Sequence, residues 1–291
     1  RTVTEDAHTA KAVEALASLY DWSKVGVIHQ NTMWAREAAS GFIRQLKSDN
    51  PDATILNEGS MEFTHSVNNT IDTNALLSQL EASGARIIFL AAEPSAMRDL
   101  FAAVYRQDRL YGVGYAWLLA GISDDTFRNE DGTVNTDAVH GAEGCLAFRE
   151  RADTTTSTYT RYMQKWRARS SHAACGGNAL HPYCDADGDP STIASYSAFY
   201  ADAVLLYAYA MHAIFRSSDQ TASALYSAIK RLAPFEGVGG RLLLDPASAD
   251  RLGTLELLNM QIDDRRRLAG FAASASRGSL VSVGTYTTSA L

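Results

Sequence analysis

The sequence lacks the signatures of the commonest catalytic classes. It has no phosphate-cradling G-x-x-x-x-G-K-[ST] and no H-E-x-x-H zinc helix. No G-x-S-x-G nucleophile elbow occurs. Gly112-Val113-Gly114 lacks the third glycine of a dinucleotide turn and precedes a strand-like run, not a helix. Positive charge is also short: the formal net charge is −7, with no basic stripe interleaved with aromatics, so nucleic acid is not an expected partner. Arg265-Arg266-Arg267 follows Asp263-Asp264 and reads as a charged hairpin turn.

Only three cysteines are present. Cys175 and Cys184 bracket the polar loop CGGNALHPYC with no second ligand pair nearby, which fits a local disulfide better than a metal site. Cys145 is left as a buried thiol. Asp185-Ala186-Asp187-Gly188-Asp189 resembles a calcium loop, but Tyr196 stands where a bidentate Glu is required. No metal and no cofactor are therefore expected. The chain opens at Arg1 without a Met or a signal peptide and reads as an excerpt of a longer protein. The run Tyr196 to Phe215 has the spanning length of roughly 20 residues but contains Asp202 and His212. Because charge is costly inside a bilayer, it reads as a buried domain helix.

What the chain does have is rhythm. Apolar strand-like runs begin at Val25, Thr54, Arg86 and Tyr115, so the spacings are 29, 32 and 29 residues. A strand, a crossover helix and two short loops need about 30 residues. A series of such units predicts a parallel sheet covered by helices, with ligands at the carboxyl ends of the strands. The loops after His29, Ala91 and Ala120 are thus the first places to look for a site. After Gly121 the rhythm breaks. Residues 123–140 read as a short helix or loop, AEGCLAF as a strand, and 170–192 as a Gly/Cys/Asp/Pro-rich loop. Two helices near 193–216 and 220–232 follow. PFEGVGGRLLLD, RLGTLELLNMQID and a short LVSVGTYTT then read as one strand each, hairpin-like and antiparallel.

RTVTEDAHTAKAVEALASLYDWSKVGVIHQN resembles the crossover segment of the type I periplasmic-binding fold used by receptor-family ligand-binding regions. ARIIFLAAEPSAMRDLFAAVYRQDRLYGVGYAWLLAG is similar to the next strand-helix-strand of those domains. AEGCLAF, FYADAVLLYAYAMHA and PFEGVGGRLLLDPASADRLGTLELLNMQ follow in the family's order. The last resembles class C receptors, metabotropic GABA receptors among them, and natriuretic-peptide receptors. The resemblance implies an α/β fold of two lobes, each a parallel sheet with covering helices, and three crossovers. Residues 1–145 would form lobe 2 with the first and second crossovers, 146–240 a partial lobe 1, and 241–291 the third crossover and lobe 2 tail strands. The N-terminal part of lobe 1 would be missing, leaving the lobe 1 helices with exposed apolar surface.

Matching positions supply the expected ligand contacts. Trp34 stands where the family commonly places a stacking aromatic. Glu93, Pro94 and Ser95 form the loop after the third strand, and Gly121, Ile122 and Ser123 follow the fourth. Asp202 only partly matches a family Y-D-A segment and reads as structural. Asn68-Asn69-Thr70 is a glycosylation acceptor pattern, Asn68 being the acceptor.

These features predict a non-enzymatic, extracellular ligand-binding region of a membrane receptor of the G protein-coupled class or a similar one. It would sense a small, amino-acid-like molecule by closure of two lobes. The signal would pass to a transmembrane module in a longer chain, as a homo- or heterodimer. The alternative is a soluble substrate-binding protein of a transporter. A degenerate module that only dimerises is a further reading. An enzyme would need a nucleophile–base pair at the strand ends, and His29 with Ser123 is the candidate.

Overall fold

Strand and helix signals alternate from Asp6 onward, and the computed structural model follows them over residues 6–57, 60–65, 72–123, 126–170, 197–215, 219–245, 249–262 and 278–287. In chain order the elements are α1 (Asp6–Leu19), β1 (Lys24–Gln30), α2 (Met33–Asp49), β2 (Thr54–Ile55), β3 (Met61–Phe63), α3 (Thr73–Ser83), β4 (Ile87–Ala91) and α4 (Pro94–Arg106). Next come β5 (Ala116–Leu119), α5 (Thr136–Gly141), β6 (Leu146–Glu150), α6 (Ser157–Ser170), α7 (Ser197–Ile214) and α8 (Ala222–Arg231). The chain closes with β7 (Phe235–Gly237), β8 (Gly240–Leu244), β9 (Arg251–Leu252), β10 (Thr254–Ile262) and β11 (Gly278–Thr287).

The chain forms two compact units. One comprises Asp6–Arg149 and Leu255–Tyr286 and contains the sheet β11-β10-β6-β5-β4-β1-β2, with β3 paired to β1 beyond β2. The pairs β1–β2, β1–β3, β1–β4, β4–β5 and β5–β6 are all parallel, as the spacing predicts. Side chains of successive strand residues point to opposite faces. Ile88 and Leu90 therefore join Leu77, Leu80, Met97, Phe101 and Trp117 on one face, under α3, α4 and α5. Phe89 and Ala91 join Val25, Val27, Phe42 and Leu46 on the other, under α1 and α2. The Phe42 and Phe89 rings stack at 4.3 Å between centroids.

Two local signals hold the helices that frame the rim. Thr32 caps α2 by accepting from the Ala35 N–H at 3.2 Å, and Pro94 opens α4, where its fixed φ and missing N–H are suited to the first turn. The chain runs from β1 to β2 and β3 on one side of it, then crosses to β4 on the other. The order of strands thus reverses between β1 and β4, and it is at the carboxyl ends beside such a reversal that open α/β sheets hold their ligands.

The other unit is built mainly from Glu150–Thr254. It carries α6 to α8 and the antiparallel ladder β7-β8-β9. PFEGVGGRLLLD is thus a hairpin of two strands, and RLGTLELLNMQID divides into β9 and β10, which lie in different sheets. LVSVGTYTT belongs to a longer strand than expected, the ten-residue β11. The segment 196–215 needs correcting too: α7 buries Phe199, Asp202, Leu206, Ala210 and Ile214 but exposes Tyr200, Val204, Tyr207 and Met211. It is a one-sided helix, and among the described residues no helix is long and apolar enough to cross a membrane.

Asp202 is fully buried in this unit. It accepts from the backbone N–H groups of Val238 and Gly239, the latter at 3.0 Å, and from Arg251 Nη1 at 3.0 Å. Arg251 also donates to the Gly239 carbonyl at 2.9 Å and lies 4.7 Å over the Phe199 ring. Gly237 and Gly239 let the hairpin come this close, because a Cβ at either would collide with Asp202 or Phe199. Asp202 is accordingly structural.

The disulfide expected between Cys175 and Cys184, the acceptor Asn68, the acidic loop at 185–189 and the arginine run at 265–267 lie outside the described residues.

Candidate ligand site at the carboxyl rim

The site is assembled at the ends of β1, β4 and β5. Register places His29 beside Ala91 and Leu90 beside Leu119, so the three following loops emerge together. Gln30, the last residue of β1, is 3% exposed. Its Oε1 accepts from the Glu93 N–H at 2.8 Å, and its Nε2 donates to Glu93 Oε2 at 3.1 Å. A longer contact of 3.5 Å joins Nε2 to the His65 carbonyl beyond β3. One buried amide thus ties three loops. It satisfies its own donor and acceptor in doing so, as a buried polar group must.

Trp34 sits in the first turn of α2 and remains partly exposed. A Cβ on Gly121 would stand 3.9 Å from Trp34 Cζ2, so the indole lies against the chain just beyond β5. Because β4 runs between β1 and β5, the ring bridges the end of β4, from which Glu93 emerges. Trp34 and Gly121 are thus neighbours on this rim, and Glu93 stands on the same rim, joined to Gln30.

The remaining positions differ. Ser95 opens outward at the start of α4 and lines an open depression of about 300 Å³ with Pro94, Arg98, Arg128 and Glu130. Ile122 is buried in the core under α4, so only its backbone is available at the rim. Ser123 turns inward: its N–H donates to Thr126 Oγ1 at 2.9 Å, and the two hydroxyls lie 3.2 Å apart.

His29 and Ser123 do not form a catalytic pair. The His29 Nε2 lies 3.2 Å from Ser60 Oγ, its Nδ1 3.1 Å from the Gln30 carbonyl, and Ser123 is engaged with Thr126. Among the described residues no group of three or more His, Cys, Asp or Glu side chains could hold a metal ion.

Charges around the rim are largely matched. Arg36 meets Glu62 at 2.6 Å and also donates to Asn31. Asp99 accepts from Arg98 at 2.7 Å and from His65 at 2.9 Å. Burial raises the Asp99 carboxyl, but these hydrogen bonds outweigh it and hold the group below the usual carboxylate range.

Gln30 and His65 carry no signal that sequence reading could have used. Gln30 is one polar residue at a strand end, and its partner lies 63 positions away. Strand β3, which brings His65 to the rim, has three residues and is too short for periodicity to reveal.

Comparison with known proteins places this geometry in context. The sequence profile of the receptor family ligand binding region matches residues 1–263. A leucine-binding protein from Thermotoga maritima has a similar structure, with a TM-score of 0.58 and 14% identity over 88% of this chain and 63% of that one. So does an ABC transporter solute-binding protein from R. palustris in complex with benzoate, with a TM-score of 0.62 and 10% identity over 99% of this chain and 66% of that one. The chain spans just under two thirds of the length of both. No curated protein matches it.

Proposed function

Because this chain belongs to the receptor family of ligand-binding regions, we propose that it captures a small organic molecule at the carboxyl rim of β1, β4 and β5. Two observations carry the reading: the Trp34 indole against Gly121, and the Gln30–Glu93 clasp where the strand order reverses, both at the carboxyl ends of neighbouring strands. An exposed aromatic face beside a few fixed polar groups is the ordinary make-up of a small-molecule site. Pairing of His29 and Ser123 with other groups, and the missing enzyme motifs, support binding without catalysis.

The finer reading is a receptor ectodomain on the extracellular side of a membrane. Ligand capture would shift a conformational equilibrium by no more than its difference in affinity for the two states. That shift would pass to a transmembrane signalling module outside this chain, in a homo- or heterodimer. A second reading, a soluble solute-binding protein of a transporter, draws support from the solute-binding proteins of the same fold. A membrane-spanning segment encoded downstream of Leu291 would separate the two.

Calorimetry of the full-length extracellular protein against amino acids, amines and aromatic acids tests the site. Trp34→Ala is expected to weaken the best ligand about tenfold, roughly 1.4 kcal/mol. Unchanged affinity would remove Trp34 from the site, and silence from a folded, complete protein would refute ligand binding.

A further inference from the structure

The charge arrangement at the rim carries one step more, and it rests on the rim being the binding site. The other acids of this rim have partners: Glu62 is paired with Arg36, and Asp99 with Arg98, with a further hydrogen bond from His65. Glu93 meets no cation among the described residues. Its carboxylate is held instead by a neutral amide, Gln30, through Oε2 alone. Oε1 has no donor among the described residues. A neutral clamp fixes position without cancelling charge, whereas an arginine there would do both. Gln30 also grips the Glu93 backbone N–H at 2.8 Å, so main chain and side chain are set together.

The arginines nearby are already committed. Arg98 Nε is bonded to Asp99, and Arg98 Nη1 donates to the Arg128 carbonyl at 3.1 Å; Arg128 Nη1 donates to the Gly132 carbonyl at 2.7 Å. An anionic guest would thus meet a carboxylate with no cationic side chain against it, and no unengaged arginine, among the described residues of this part of the rim. A cation would meet a carboxylate oxygen with no protein donor among the described residues, on a rim that also carries the exposed Trp34 indole; a carboxylate and an aromatic ring are the two groups that best attract an ammonium or guanidinium ion.

We propose that Glu93 is the charge-selecting residue of the rim and Gln30 its positioning residue, so that the guest is an organic cation with an apolar or planar body. The test uses three probes of one shape, benzylammonium, benzyl alcohol and benzoate, titrated into the full-length protein and its variants by ligand-observed NMR. Wild type is expected to bind benzylammonium at least tenfold tighter than benzyl alcohol, and benzoate more weakly than either. Glu93→Gln should bring amine and alcohol to within about twofold. Gln30→Met, uncharged and of similar length, should lower the amine-to-alcohol ratio while the alcohol still binds, which a general loss of fold would not do. A wild-type ratio near one, a ratio unchanged in Glu93→Gln, or benzoate as the tightest probe overturns the inference. If Trp34→Ala abolishes probe binding while Glu93→Gln leaves the ratio unchanged, the site stands and the charge selection falls. If no probe binds in a Trp34-dependent way, both fall.

Discussion

At the scale of single residues, buried polar groups decide more than their number suggests. Asp202 and Arg251 are removed from water, and each is satisfied by the other and by the hairpin backbone at Val238 and Gly239. Deleting one partner of such a pair leaves a buried charge, which costs about 3–5 kcal/mol. Arg251→Ala is expected to lower stability by that order, read from the midpoint of urea unfolding, while Arg36→Ala at the exposed rim should leave that midpoint nearly unchanged. Cys145 is a different case. Burial pushes its thiol up to about 12, so it stays protonated and unreactive at neutral pH. Iodoacetamide mapped by mass spectrometry should label Cys145 only under unfolding conditions; labelling of the native protein would contradict its burial. Asp99 sets a pH dependence by the opposite logic. Its folded value lies below its unfolded one, so its contribution is present above the unfolded value near 4 and is lost as pH falls through the folded value. Stability should therefore decline with acidification below about pH 4, and Asp99→Asn should remove part of that slope. Trp34 and Glu93 could be named as candidates from sequence because a family resemblance marks the one and a loop position after a strand marks the other. Gln30 could not, because nothing local distinguishes it from any other strand-end glutamine.

At the scale of elements, periodicity foretold the long pieces and missed the short ones. α2 and α4 bury continuous stripes, Ala35, Ala38, Ala39, Phe42 and Leu46 in one and Ala96, Met97, Leu100, Phe101 and Val104 in the other, and both are visible at helical spacing. β3, β7 and β9 have two or three residues each and leave no pattern to read. The reading of 196–215 as a buried helix fell short for another reason, although exposed apolar surface on these helices was expected. α7 is apolar almost all round, and composition alone cannot say which side finds a partner. α5 depends on a contact that no local rule predicts: Gly141 lies so close to α4 that a Cβ would run into the Phe101 carbonyl. Gly141→Ala should raise helix propensity yet destabilise the protein by about 1–3 kcal/mol, since overpacking outweighs propensity. Thermal melts of this variant would show it, and an unchanged or higher midpoint would mean that α5 can shift away from α4.

At the scale of the whole molecule, the two units are built differently. The larger has apolar layers on both faces of its sheet, while the smaller leaves a row of large side chains on α7 in water, with Tyr200 74% and Val204 70% exposed and Phe215, just past its end, 73%. Contiguous exposed apolar surface drives association. The chain as it stands is therefore expected to self-associate at high concentration, and Val204→Lys with Tyr207→Lys should reduce this in sedimentation velocity without lowering helix content by circular dichroism.

The sequence by itself determined that the larger unit would be a parallel sheet covered by helices, with the strand ends as the place to look for a site. Strand and helix periods, and a unit length near 30 residues, are local properties that any stretch of chain carries with it. Only the tertiary structure decided the order of the strands, and with it the place where β1 and β4 part. It also decided which loops meet there. Gln30 reaches Glu93, and Trp34 reaches Gly121, because parallel pairing brings residues far apart in the chain into register, and no local pattern encodes a partner at that distance.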